Sequence, residues 1–507
     1  MVQDARTPPA IADLDERFSE LRIPAFHAAL EHGETTAAEL VDWYLARIEA
    51  QNLAGAELQA VVTVNPQARA EAVARDEFLT TEGRLSGPLH GVPVLVKDQV
   101  ETAGLRTTFG STLFTGYVPG EDATVVAKLK DAGAIILAKT AMCDFAAGWF
   151  SSSSLTDHTK NPYAPDRESG GSSAGTAAGV AANLGLVGIG EDTGGSIRIP
   201  AAYNNLFGLR VTTGLISRAG LSPLVHFQDT PAPVARTVAD LAATLDSIVG
   251  YDPKDPFTVT ASAAQVVGGY AKAVARETPL DRWRIGVLET GFGDDDNPDA
   301  RPVSDAVRAA ISRLQELGVS TTRGLEIADL AGWIERTSVY VRQSKADINE
   351  FLAQRPNAPV SSFMEIYDCR GFHPLNDLFH GIADGPETVD GDVEYLQRRL
   401  NQEHFRRHVL NMFAAHEIDF LVYPTVQVVP PTRAELTAEK YQCLTFPTNT
   451  VIGSQAGLPA LTIPVGFTDD GLPVGLELLG VPLAEATMLQ FARAWEKAAA
   501  PRRPPDM

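Results

Sequence analysis

Short, wholly apolar runs separated by helical stretches restrict this chain more than any other feature. From about residue 85 the sequence passes from Val92 to Val96, through Val125 to Ala132, to Ala134 to Ala138, and so alternates strand-like and helix-like segments. Runs without polar alternation suit strands covered on both faces, so the pattern predicts an α/β core around a buried sheet. Two of these runs end in lysine, VPVLVKD at Lys97 and AIILAKT at Lys139. Open α/β sheets hold their sites at the carboxyl ends of strands, which draws attention to both lysines. The rhythm resumes after residue 280, with a strand over Ile285 to Leu288 and a helix from Val303 to Leu317 that Gly318 closes.

Around this core the reading divides one large domain into four stretches. Residues 1–80 read as a helical wrapper, in which Thr36 and Glu39 form a capping box and Leu40, Val41, Tyr44, Leu45 and Ile48 recur on one face. Residues 81–324 read as the core, 325–440 as a mainly helical insertion or lid, and 441–507 as a return to the core in short apolar runs. A chain of 507 residues is long enough for a large α/β unit with such insertions.

Composition narrows the function. Hydrophobic residues at 44% and charged residues at 21% are those of a soluble globular protein. The net charge of −22 repels nucleic acid and anionic membrane, so neither is an expected partner. Cys143, Cys369 and Cys443 lie far apart without a C-x-x-C pair, which suggests neither disulfides nor a zinc-thiolate site and fits a reducing, cytoplasmic compartment. The segment MVQDARTPPAIADLDERF has no basic region followed by an apolar one, and no stretch of about 18 apolar residues follows. His404 and His408 stand four apart on an expected helix. The run HFRRH lacks the glutamate of H-E-x-x-H, however, and reads as a solvated basic face, so no metal is expected.

Two Ser/Gly clusters carry the chemistry, ESGGSSAGTAAG at 168–179 and GEDTGGSIRIPA at 190–201. In the second, Gly194 and Gly195 precede Ser196, so the backbone can curl and aim several N–H groups at one point, a nest suited to an oxyanion. Ser172, Ser173 and Ser196 flank a small-residue helix and an apolar strand, while Lys97 ends a separate strand. Together they make a candidate Ser/Ser/Lys site, set against the plainer reading of Gly/Ser turns and a solvated lysine. Other motifs do not fit. GGSSAGTA lacks the Gly-Lys-Ser/Thr ending of a P-loop, VGIGEDTGG has Thr193 where a dinucleotide fingerprint needs its third glycine, and neither serine lies in a G-x-S-x-G elbow.

GPLHGVPVLVKD, then GGSS, then GEDTGGSIRIPA, in that order, resemble the amidase signature family. The likeness continues through GLR at 208–210, DTPAPVARTVADL at 229–241 and GLPALTIPVGFTDDGLPVGLELLG at 457–480; residues 325–440 match loosely. The resemblance implies an α/β/α fold, a twisted mixed sheet covered by helices on both faces. It also implies hydrolysis of a carboxylic amide, or a related ester or carbamate, through a seryl acyl-enzyme and without a cofactor. Carried over by position, Ser196 is the nucleophile, Ser172 a bridging serine on a cis peptide bond after Gly171, and Lys97 the base. Thr193, Gly194, Gly195 and Ser196 supply the oxyanion N–H groups. A serine hydroxyl needs a neighbour to take its proton, and a lysine does so only as the neutral amine that burial favours. Ser172, both donor and acceptor, links the two.

Lys139 aligns with the family's second strand-end lysine, which is not the base. Asp192 and Arg198 read as a structural clamp on the nucleophile loop. The loop after Lys139 and Thr140 borders the acyl pocket in the family, which makes Gly148, Trp149, Phe150 and Ser151 candidate substrate-binding residues. Ala174 and Thr176 depart from the common GGSSGGSA form at positions that carry no catalytic proton. The expected partner is a small-molecule amide, and the expected state a monomer or homodimer. Two other functions compete. One is the amidase subunit of a tRNA-dependent amidotransferase, whose usual Met-Leu-Gly-Thr-Tyr and Tyr-Tyr-rich helix have no counterpart in EYLQRRLNQEHFRRHVLNMFAAHEIDFLVYPT. The other is a non-catalytic binding protein on the same fold, against which the three catalytic side chains argue.

Overall fold

A computed structural model describes residues 11–264 and 266–507; residues 1–10 of the expected wrapper, and Gln265, lie outside the described residues. Its strands are β1 (Val61–Val64), β2 (Pro93–Lys97), β3 (Ile135–Thr140), β4 (Lys160–Asn161), β5 (Ala164–Glu168), β6 (Val187–Asp192) and β7 (Phe207–Arg210). They continue as β8 (Thr230–Ala235), β9 (Arg284–Leu288), β10 (Ser320–Leu325), β11 (Phe420–Pro424), β12 (Ala460–Phe467) and β13 (Pro473–Leu479). One 11-stranded sheet runs in the order β1-β3-β2-β6-β8-β7-β12-β13-β11-β9-β10, and β4 pairs with β5 apart from it.

The sheet is mixed. β2 lies parallel to β3 and β6, the ladder from β6 to β11 is antiparallel throughout, and β9 is parallel to β10 and β11. Helices cover both faces. β2, β3, β6, β8 and β11 are buried at every residue, which is why their sequences lack a polar alternation.

The helix Ala37–Asn52 begins at the expected capping box: Glu39 N–H donates to Thr36 Oγ1 at 3.0 Å, and Thr36 N–H to Glu39 Oε2 at 3.3 Å. Its buried face holds Leu40, Val41, Tyr44 and Ile48, with Leu45 half-buried. The helix Ala174–Ala181, made of small residues, lies close on β2 and β6. A Cβ at Gly175 would come within 2.2 Å of the Ala60 carbonyl oxygen, so only glycine permits that approach.

Two boundaries differ from the sequence reading. Residues 61–64 are a strand inside the stretch read as helical, because the β-branched run VVTV pairs antiparallel with β3 at the sheet edge. Phe420–Pro424 falls within the stretch read as an insertion, yet it is fully buried between β13 and β9. The long helix of this stretch ends at His416, and a strand of the main sheet begins at Phe420.

This assignment has a measurable consequence. Val422 is wholly buried in the principal core, so Val422→Ala should cost on the order of 2 kcal/mol. Val393, 78% exposed on the insertion, should change stability by less than about 0.5 kcal/mol when replaced by Ala. Urea denaturation of the two variants side by side measures both.

Candidate active site

The parallel pairing of β2 with β6, with Val96 opposite Ile189, brings both carboxyl ends out on one side. Lys97 closes β2, and Glu191 and Asp192 close β6. Lys97 is fully buried; its Nζ donates to Ser172 Oγ at 2.8 Å and to the Glu191 carbonyl at 3.2 Å, and lies 3.3 Å from Glu191 Oε2. The Gly171–Ser172 peptide bond is cis. Ser173 N–H donates to Ser196 O at 3.1 Å, and Ser173 Oγ to Glu191 O at 3.2 Å, which ties the first serine loop to the second. The Ser196 side chain borders a narrow cavity, and among the described residues its hydroxyl makes no hydrogen bond with Ser172.

The loop that carries Ser196 is held by Asp192. Its Oδ1 accepts from Gly195 N–H at 2.9 Å, Arg198 Nη2 at 3.0 Å and Arg210 Nη1 at 3.0 Å, and its Oδ2 from Ile197 N–H at 3.2 Å and Arg198 Nε at 3.0 Å. Arg198 is in turn bonded to Glu477 Oε1 on β13 and, at 2.8 Å, to Ser454 Oγ. Burial opposes the charge on Asp192, yet Arg198 and Arg210 hold its carboxyl well below the ordinary range. The clamp read from the sequence is present, and Arg210 joins it.

The same contact bears on the expected oxyanion set. Gly195 N–H donates to Asp192, and among the described residues the backbone N–H groups of Thr193, Gly194 and Ser196 have no protein acceptor. Gly195 contributes shape instead. Its φ is +136°, and a Cβ there would lie 2.0 Å from Thr450 Oγ1, which itself donates to Gly194 O at 2.7 Å.

Ala146, Gly148, Trp149, Gly194, Leu224, Tyr340, Leu378 and Cys443 line the cavity at Ser196, which holds about 10 Å³. Of the four residues expected at the acyl pocket, Gly148 and Trp149 line this cavity, whereas the Phe150 ring packs edge-on against Phe446 at 5.1 Å and Ser151 N–H donates to Glu168 Oε2 at 2.7 Å. Phe150 acts through its backbone, whose carbonyl would lie 2.0 Å from a Cβ at Gly171. Tyr340 and Leu378 come from the insertion, and no local signal in one sequence brings them to Ser196.

The other candidates lie elsewhere. Lys139 donates to Val100 O at 2.7 Å and Thr107 Oγ1 at 2.9 Å and pairs with Asp98 at 3.2 Å, away from the serines. His404 and His408 are exposed, and no metal-holding group of three or more His, Cys, Asp or Glu occurs among the described residues. Burial pushes the Cys443 thiol well above its ordinary range, which leaves it unreactive beside Ser196. No described helix is long and apolar enough to cross a membrane.

A family model described as Amidase matches residues 39–489. The chain is 32% identical over 492 residues to a glutamyl-tRNA(Gln) amidotransferase subunit of a Picosynechococcus species, covering 94% of this chain and 98% of that one. Among solved structures, the peptide amidase of Stenotrophomonas maltophilia superposes with a TM-score of 0.85 at 33% identity, covering 96% of this chain and 99% of that one. The glutamyl-tRNA(Gln) amidotransferase subunit of Thermotoga maritima gives 0.76 at 25% identity, covering 96% and 98%.

Removing the charge at the centre of the clamp should be costly wherever the chemistry lies. Asp192→Asn leaves two buried guanidinium groups short of a counter-ion and should destabilise the fold by about 3–5 kcal/mol. A urea midpoint close to that of the parent protein would show that the clamp adds little.

Proposed function

The chain belongs to the amidase signature family and is an amidohydrolase; on that premise we propose that it is a free-standing amidase with Ser196 as nucleophile and a proton relay through Ser172 to Lys97. The observation that carries the relay is the 2.8 Å hydrogen bond between Lys97 Nζ and Ser172 Oγ, beside the loop bearing Ser196. In this reading Ser196 Oγ bonds to the amide carbon, its proton passes to Ser172, and the Ser172 proton passes to the Lys97 amine. The developing oxyanion meets the N–H groups of Thr193, Gly194 and Ser196, fixed in advance by the Asp192 clamp. The proton then returns to the leaving amine, the C–N bond breaks, and water releases the acyl group from Ser196.

Beside Ser196 there is room for no more than about one water, and none of the side chains lining that space carries a charge, which supports a neutral group at the point of attack. The insertion serves as the lid, contributing Tyr340 and Leu378 to those walls. A second reading, an amidase subunit that releases ammonia from glutamine within an amidotransferase, is supported by the 32% identical Picosynechococcus relative. Glutamine, however, carries an ammonium and a carboxylate that lose solvation on entering such a cavity without a charged partner. Apolar carboxamides should therefore be hydrolysed with higher kcat/KM than free glutamine. The opposite order in a substrate panel would favour the amidotransferase reading.

Ser196→Ala should reduce hydrolysis by at least about 10³-fold in a protein that still folds; parent-like turnover by that variant would end the proposal. Lys97→Ala should lose about 10²–10⁴-fold, and Lys97→Arg about as much, because a guanidinium stays protonated and cannot accept the proton. An arginine variant with near-normal turnover would make Lys97 a fixed positive charge rather than a base.

A further inference from the structure

Lys97 has a second neighbour that the relay leaves unused, and counting protons around it assigns its state. Thr193 Oγ1 lies 3.0 Å from Glu191 Oε1 and 2.6 Å from Asp229 Oδ1. A hydroxyl has one proton to donate, so it cannot serve two ionised carboxylates at once. With both ionised, one contact would set a hydroxyl lone pair against a carboxylate oxygen in a fully buried site, a costly arrangement. One of the two carboxyls must carry the missing proton.

The surroundings decide which. Asp229 receives the shorter contact, and its two oxygens also accept from the backbone: Oδ2 from Leu224 N–H and Oδ1 from Val225 N–H, each at 3.1 Å. Burial pushes the Asp229 carboxyl up as well, while these donors pull the other way and favour its ionised form. Among the described residues Glu191 Oε1 has only the Thr193 hydroxyl, and Oε2 only Lys97. A proton on Glu191 Oε1 completes a chain from Glu191 to Thr193 to Asp229 in which every donor meets an acceptor. The charges around the group are Lys97 on β2, Asp192 beside it on β6 with Arg198 and Arg210 against that carboxylate, and Asp229, which in turn faces Asp347 and Arg218. Burial, aided by the Asp229 and Asp192 carboxylates and opposed by Lys97, pushes the Glu191 carboxyl up to about 7.

We propose that Glu191 is a positioning residue held as a neutral carboxylic acid, so that Lys97 faces an uncharged hydrogen-bonding partner and not a counter-ion. The inference rests on the Ser196–Ser172–Lys97 reading. A carboxylate 3.3 Å from Lys97 would stabilise the ammonium and remove the amine the relay needs. A neutral acid instead accepts from Lys97 through Oε2 and donates to Thr193 through Oε1. It therefore orients the lysine toward Ser172 and steadies the first residue of the nest.

An amide side chain reproduces that pattern of one acceptor and one donor, and a methyl group does not. Glu191→Ala should lower kcat by about 10- to 100-fold with little change in KM, as for the loss of hydrogen bonds to catalytic groups. Glu191→Gln should restore most of that loss. Infrared difference spectra of the intact enzyme give a readout independent of hydrolysis. One C=O stretch of a protonated carboxyl should be present in the parent protein below about pH 7, fade as pH rises through that value, and drop out in Glu191→Gln while the contributions of Asp144 and Glu477, which burial also pushes up to about 7, remain. Glutamine as impaired as alanine, or parent spectra below about pH 7 that match those of Glu191→Gln in this region, would overturn the inference. Neither outcome bears on Ser196, whose alanine variant tests the underlying reading separately.

Discussion

The Asp192 carboxylate is the interaction on which the site depends. It gathers two backbone N–H groups of the loop that bears Ser196 and two guanidinium groups, all out of contact with solvent. A buried charge persists only when it is paired and hydrogen-bonded. Because these partners come from the loop, the helix Arg198–Tyr203 and β7, satisfying the charge fixes their relative positions. Arg198 then extends the constraint to β13 through Glu477 and to the helix Thr450–Ala456 through Ser454. The curl of residues 193–196 thus follows from a charge that has no water to turn to. Gly195 is required at its centre because Thr450 occupies the space a side chain would need.

The two strand-end lysines show how environment separates like residues. Both are fully buried at the carboxyl ends of neighbouring parallel strands. Lys139 meets an acid with no carboxylic rival, together with a carbonyl and a hydroxyl, a set that ties loop 98–107 to the sheet. Lys97 meets a serine hydroxyl, the carbonyl of Glu191 and, at 3.3 Å, the Glu191 carboxyl, whose second oxygen is shared with Thr193. What distinguishes the candidate base is the partners that the fold supplies.

The insertion contributes to the site through only a few side chains. Tyr340 lies against Trp149 with ring centroids 5.7 Å apart and accepts a hydrogen bond from Gln228, whose Nε2 also donates to Thr193 O. One edge of the insertion is thereby tied to the nest, while its outer helices keep exposed apolar residues such as Val393 and Leu396.

Much of this is legible in the sequence, for definite reasons. Strands buried on both faces must be apolar throughout, so the runs at 92–96 and 134–138 mark the sheet. A backbone nest needs glycines at fixed places, and the ordered motifs locate Lys97, Ser172 and Ser196 together with the family. Two strands escape such a reading because helical stretches adjoin them: VVTV lies between two helices and FLVYP follows a long one, and each takes its conformation from the strands it pairs with. The direction of Phe150, the commitment of Gly195 N–H to Asp192, and the meeting of Glu191, Thr193 and Asp229 are equally out of reach, since each depends on which atoms approach after the chain has closed. The sequence by itself determined which groups are available and where the backbone can bend. Only the tertiary structure decided which donor meets which acceptor, because a buried polar group is satisfied by whatever the packing brings within about 3 Å of it.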